Sequence, residues 1–456
     1  MFFYDRTGFG VFIGDNMHID YFFASFIISL GILLVFLSVY YQRFSLYLFV
    51  FTLPLMLFLR VDFLPSTLIV IPGGLVVLSS IASVLNKQKH TIAFSSLIIL
   101  SILLGIWVSF STLYLGDNIS NSRPYWLVII LLSASSYLLI SEKHLLQVSW
   151  CWIISLSVSG LYVIITRILA IGFAVNIDAN SLHATELALG DKNEVAMILL
   201  MGVPFSFYMH EYYRDQPKKR AWLMAATVIM GLGGLSTVSI GAFVGFCAMI
   251  FMFIMLTPNL KTRLRYIVIS TFLLFGTLSG PILERLQKAN LSVLDENWGS
   301  YRASVWSAGF KIILNYPVFG IGLDFDRRVR VMKQFFDLPF LIDYWYSKGA
   351  LIAPHNILLS VGVETGLPGL MLYVFILIAA FISLFRTFRK HLLCCGKCTN
   401  VFSFYFCKMI LVSLISSLIQ GMALSVHLNK HIWLLLGFAL ALSNVSKKLN
   451  INSAVQ

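Results

Sequence analysis

Residues 353–370 read APHNILLSVGVETGLPGL, and the fold turns on whether they begin one long helix or two pieces. A proline and a His-Asn pair open the stretch, an apolar run with one glutamate follows, and Gly-Leu-Pro-Gly closes it. As a single helix to Arg386 the segment would run roughly 48 Å, against roughly 30 Å of bilayer hydrocarbon. Gly369 to Arg386 is long enough to span alone. The sequence therefore predicts a short interfacial helix over about 355–365, a break at Gly-Leu-Pro-Gly, and then a true span. Pro354 suits a helix start. At about 100° per residue, His355, Gly362, Gly366 and Gly369 share one sector, where glycines let another backbone approach. Glu364 falls on the opposite side.

The surrounding chain is equally apolar. Of 456 residues 59% are hydrophobic and 12% charged, and a soluble globular protein carries about 25% charged residues. A polytopic, all-α integral membrane protein is the expected class. Apolar runs occur near 21–41, 64–85, 91–114, 124–141, 145–173, 221–236, 240–257, 264–281, 369–386, 403–427 and 431–446, with shorter or broken ones at 45–59 and 194–209. They predict about twelve membrane helices. Residues 1–20 lack a basic n-region and a small-residue cleavage site, so the first run is expected to stay in the membrane.

Charge orients the chain. Lys87, Lys89, Lys143, Arg214, Lys218, Lys219, Arg220, Lys261, Arg263, Arg265, Arg386, Arg389, Lys390, Lys397, Lys447 and Lys448 fall in alternate loops, while the opposite short loops hold only Arg123, Lys192 and Lys430. The first set reads as cytoplasmic. Three parts follow: membrane helices over 1–281, a large periplasmic loop over 282–354, and the His-bearing helix with the last spans over 355–456. That loop carries nine basic residues, Arg285, Lys288, Arg302, Lys311, Arg327, Arg328, Arg330, Lys333 and Lys348, on the side where the orienting rule does not ask for them. An anionic partner is the natural explanation. The net charge of +13 in a membrane chain points to anionic lipid or phosphate, and we expect no nucleic-acid partner.

Within the loop, residues 301–314 read as an amphipathic helix with Val305, Trp306, Ile312 and Ile313 on its apolar side. Asn315 and Pro317 end it, and Gly320 and Gly322 permit a tight turn. Arg302 and Trp306 stand four apart on one face, as a membrane-surface stacking pair or as a working pair. Arg327, Arg328 and Arg330 suit phosphate oxygens, whether of a substrate or of lipid headgroups. Cys394, Cys395 and Cys398, with His391 nearby, sit in a basic loop. Reduced or acylated thiols are the plainer reading and zinc the sharper one. We find no internal repeat, which weighs against a symmetric transporter.

These residues also carry a resemblance. His355-Asn356, nine residues, then Gly366-Leu-Pro-Gly resembles the histidine motif of the O-antigen ligases. YRASVWSAGFKIILNYPVFGIG over 301–322 is similar to an upstream element of the same superfamily, and Asp191 and Asn193 in GDKNEVAMILLMGVP to its Asp-x-Asn element. The chain departs from the family at Ile240, where an arginine often follows the serine (here Ser239). Arg167, inside an apolar helix, is the candidate substitute. The resemblance implies a metal-independent, cofactor-free glycosyltransferase of the bacterial inner membrane with its active site facing the periplasm. It would move a glycan from undecaprenyl diphosphate to an acceptor hydroxyl. The acceptor is lipid A–core for a ligase and a second lipid-linked glycan for an O-antigen or exopolysaccharide polymerase. Export of lipid-linked sugars is the more distant alternative. In the enzyme reading, His355 and Arg302 are catalytic. Arg327, Arg328, Arg330, Asn356, Arg167, Asp191, Asn193 and Glu364 are substrate-binding candidates. Asp324-Phe325-Asp326 has the spacing of a metal motif but sits beside three arginines, so arginines are expected in place of a metal.

Overall fold

The structure, a computed structural model, describes residues 34–55, 67–85, 95–174, 191–267, 299–336, 354–393 and 401–454, apart from 39, 258, 262, 265, 266 and single side chains near segment ends. Apart from the turns that join them, the described residues are helical. In chain order they form α1 (Phe44–Leu55), α2 (Thr67–Leu85), α3 (Ser96–Tyr114), a 3-10 turn (Ile119–Ser122), α4 (Arg123–Leu138), α5 (Glu142–Ala174), α6 (Lys192–Tyr212) and α7 (Pro217–Ser236). Then come α8 (Ile240–Met255), α9 (Gly299–Asn315), α10 (Phe325–Phe335), α11 (Ile357–Leu393), α12 (Val401–Gly421) and α13 (Lys430–Ala454).

Helix starts follow local chemistry. Ser95, Asp191, Ser239 and Asp324 accept hydrogen bonds from the first-turn N–H groups of α3, α6, α8 and α10, and prolines occupy the opening positions of α4 and α7. α6 is buried almost all round from Val195 to Ser206, as its mostly apolar sequence requires. It packs with α12 and α13 around a cluster of Trp152, Phe205, Phe406 and Phe438, whose rings meet mostly edge to face. α3 exposes Ile99, Leu103, Ile106 and Phe110, and α11 exposes Met371, Phe375, Ile378, Ile382 and Phe385. Both sets recur at helical spacing, so each forms one continuous apolar stripe. Water would not tolerate such stripes, and lipid does.

Four described helices, within Ser96–Tyr114, Glu142–Ile168, Ile357–Lys390 and Val401–Gly421, are long and apolar enough to cross a membrane. Most of the runs at 264–281 and 21–41, and Arg60, Asp62, Pro65, Cys394, Cys395 and Cys398, lie outside the described residues.

The bundle has two chemically distinct ends. At one, Glu142 accepts hydrogen bonds from the backbone and hydroxyl of Ser403, Lys408 Nζ donates to the Leu256 carbonyl at 3.2 Å, and Phe388 stacks on Phe404 at 5.4 Å. These contacts gather the starts of α5 and α12 with the ends of α8 and α11, and with them Lys143, Arg386, Arg389 and Lys390. At the other end lie His355, the α3–α4 turn and the α12–α13 turn. There α9, α10 and the first segment of α11 share a small core of Val305, Ala308, Ile312, Val331, Leu359 and Val363.

Candidate active site

The site is assembled around a break in α11. Gly366 has φ 71° and ψ −174°, which splits the helix into a short segment and a membrane-length one, at the first glycine of Gly-Leu-Pro-Gly. The short segment begins two residues later than the sequence predicts. Asn356 is its cap, with Oδ1 accepting from the N–H of Leu358 at 3.0 Å and Leu359 at 3.1 Å. Its Nδ2 donates to the Met422 carbonyl at 3.2 Å. Asn356 is therefore occupied by backbone on both sides. His355 stands outside the helix, so a helical wheel does not set its direction. It is exposed, at φ 48°, and its N–H donates to Ser425 Oγ at 2.9 Å. Left-handed backbone in a non-glycine residue is uncommon and costs energy.

The turn after α9 docks on the break through main-chain hydrogen bonds. Ile321 N donates to the Val363 carbonyl at 2.8 Å, Gly322 N to the Glu364 carbonyl at 3.1 Å, and Leu367 N to the Pro317 carbonyl at 2.7 Å. The breaking of α11 frees those carbonyls and that N–H, and the turn satisfies them. The contact needs glycine on both sides. A Cβ on Gly366 would lie 2.1 Å from the Val318 carbonyl oxygen, and one on Gly320 2.5 Å from that of Val363. Gly366→Ala is expected to destabilise the protein by about 2 kcal/mol, from positive φ plus the backbone overlap. A melt in detergent that matches the unaltered chain would refute the docking. α3 braces the same junction: Trp107 Nε1 donates to the Thr365 carbonyl and Ser111 Oγ to that of Phe319, while Phe319 stacks on Tyr114 at 4.1 Å.

Past the turn, Asp324 accepts from the N–H of Arg327 at 2.8 Å and starts α10. Two neighbouring arginines on this helix point to different partners. Arg327 grips Asp117 through Nη2 and Nη1, at 2.7 and 3.1 Å, and donates to the Leu115 carbonyl at 2.7 Å. Arg328 Nη2 lies 3.0 Å from Glu364 Oε1. Arg330 is exposed. Among the described residues the Glu364 carboxylate takes three partners. Its Oε2 accepts from Tyr125 Oη at 2.8 Å and sits 2.9 Å from His427 Nε2. The Arg328, Glu364 and His427 side chains are only 12%, 7% and 7% exposed, and Tyr125 is fully buried. Buried charge of this kind survives only when paired and hydrogen-bonded. Arg328 Nε and His427 Nδ1 are buried without a protein partner among the described residues.

The structure thus brings Arg327, Arg328, Arg330, Asn356, Glu364 and His355 to one end of the bundle. His355 lies outside the helix, so the two share no helical wheel, and Glu364 holds the arginine helix through Arg328. The Arg302 side chain lies outside the described residues, although its backbone is in α9 near Trp306. Asp191 caps α6 by accepting from Asn193 N at 2.9 Å. Arg167 is half-buried late in α5, and Ser239, beside the family's missing arginine, caps α8. Sequence reading missed Tyr125, Asp117, Ser425 and His427. Of these only His427, a histidine at the end of an apolar run, carried a signal.

Residues 225–374 match the family model described as O-antigen ligase. The match covers about a third of the chain. It runs from the middle of α7 to just past the break in α11, and takes in Arg302, all three α10 arginines, His355 and Glu364. No curated protein matches the chain.

Proposed function

We propose that this chain, a member of the O-antigen ligase and polymerase superfamily, is a ligase-type glycosyltransferase that joins a glycan carried on undecaprenyl diphosphate to a hydroxyl of lipid A–core. The observation that carries this reading is the junction between the arginine-bearing helix and the histidine-bearing one. Through Glu364 and the glycine turn, α10 and the start of α11 form one frame, with Arg330 and His355 exposed on it.

The chemistry follows from that frame. A diphosphate leaving group develops negative charge as the glycosidic bond breaks, and guanidinium groups stabilise it without a metal. Arg330 and Arg302 are the arginines we assign to the phosphates. Arg327 and Arg328 are held by Asp117 and Glu364 and act by fixing α10. His355 takes the proton of the acceptor hydroxyl as it attacks the anomeric carbon. By the charge rule the basic end of the bundle is cytoplasmic, and this site then opens to the periplasm of the inner membrane.

The test is reconstitution of the purified chain in vesicles with lipid-linked glycan and lipid A–core. Glycan joined to lipid A–core without any gradient is the expected product. Joining of two lipid-linked glycans instead would mean a polymerase, and relocation across the bilayer without joining would mean an exporter.

A further inference from the structure

At the opposite end from the candidate active site, α3, α11 and α13 enclose a cavity of about 880 Å³. One part of its wall is apolar, formed by Leu97, Leu100, Phe375 and Ile378. Phe375 and Ile378 belong to the exposed stripe of α11, so the cavity opens sideways to lipid. The other part is cationic, formed by Arg386, Arg389, Lys390 and Lys447. All four cations are exposed. None of them is paired with a carboxylate among the described residues. Ser446, also in the wall, has a buried hydroxyl with no partner among those residues.

We propose that this cavity is a binding site for an anionic phospholipid of the adjacent leaflet. The phosphate would sit among Arg386, Arg389, Lys390 and Lys447, with the Ser446 hydroxyl as a further donor, and an acyl chain would lie along Leu100, Phe375 and Ile378. Two arguments fix the occupant. The wall is divided into an apolar length and a cationic end, which is the division within a phospholipid and not within a free phosphate or a peptide. And the apolar length opens onto the lipid-facing stripe, so a lipid enters without leaving the bilayer. Nothing in this site touches the proposed transfer chemistry, and it stands or falls independently of that reading.

Native mass spectrometry of the full chain, titrated with dioleoyl phosphatidylglycerol or dioleoyl phosphatidylcholine, tests the proposal. Phosphatidylglycerol is expected to be retained at least tenfold better. Each juxtamembrane cation contributes about fivefold, so R386Q/K447Q should lower that affinity about 25-fold. Leu100→Trp, which fills the apolar length and alters no charge, should lower it as well. Equal retention of the two lipids by the unaltered chain overturns the proposal, and that comparison requires no variant to fold. Competition by glycerol phosphate or inorganic phosphate at the lipid's own concentration also overturns it, since the site would then read a headgroup alone.

Discussion

Glu364→Ala is expected to cost about 3–5 kcal/mol of folding stability, the range for stranding a buried charge. Arg328 would keep its positive charge in a nearly dry site with its carboxylate gone, and Tyr125 Oη and His427 Nε2 would lose their partner as well. The pair's own attraction is a smaller quantity, because desolvation offsets most of it. Replacing both members by apolar side chains of similar size is often neutral. Glu364→Met should therefore be nearly as harmful as the alanine change, whereas E364M/R328M should recover most of the loss. Unfolding in detergent, run as a double-mutant cycle, reads this directly. A coupling below about 0.5 kcal/mol would mean the two side chains do not depend on each other. The recovered double variant is also informative about function. It would restore folding while leaving α10 without its anchor, so weakened glycan transfer in a stable protein would assign Arg328 and Glu364 a positioning role.

That network shows what the sequence can and cannot reveal. The break in α11 was legible because glycine and proline speak locally: a helix of that length does not fit the bilayer, and Gly366 supplies the φ. The α9 helix, its end at Asn315 and the Gly320–Gly322 turn were legible for the same reason. The partners of Glu364 were not. Tyr125 lies 239 residues away and His427 63, and no periodicity links them. Arg327 and Arg328 look interchangeable in sequence, but consecutive residues on a helix point about 100° apart. One turns to the α3–α4 turn and the other to α11. Asn356 illustrates a different limit. A polar residue beside a functional histidine reads as a ligand-binding group, yet its position at a helix start makes capping the dominant demand on its side chain.

His355→Ala should lower glycan transfer by about 10²–10⁴-fold, the contribution of a positioned general base. Alanine also perturbs the fold, since the residue's N–H holds Ser425 at the α12–α13 turn. Glycine separates the two effects. At φ 48° a side chain costs energy that glycine does not. His355→Gly keeps the N–H and should leave the melting temperature unchanged or raise it slightly. If the histidine were there for the fold, His355→Gly would then be the milder change and activity would survive. If its imidazole takes the acceptor's proton, His355→Gly should be as inactive as His355→Ala in a protein at least as stable. Its residual rate should also lose any dependence on pH around the imidazole pKa. The strained backbone favours the second outcome, because strain kept in a residue that makes no use of its side chain is readily removed by a change to glycine. Transfer by His355→Gly within tenfold of the unaltered chain would exclude His355 as the base.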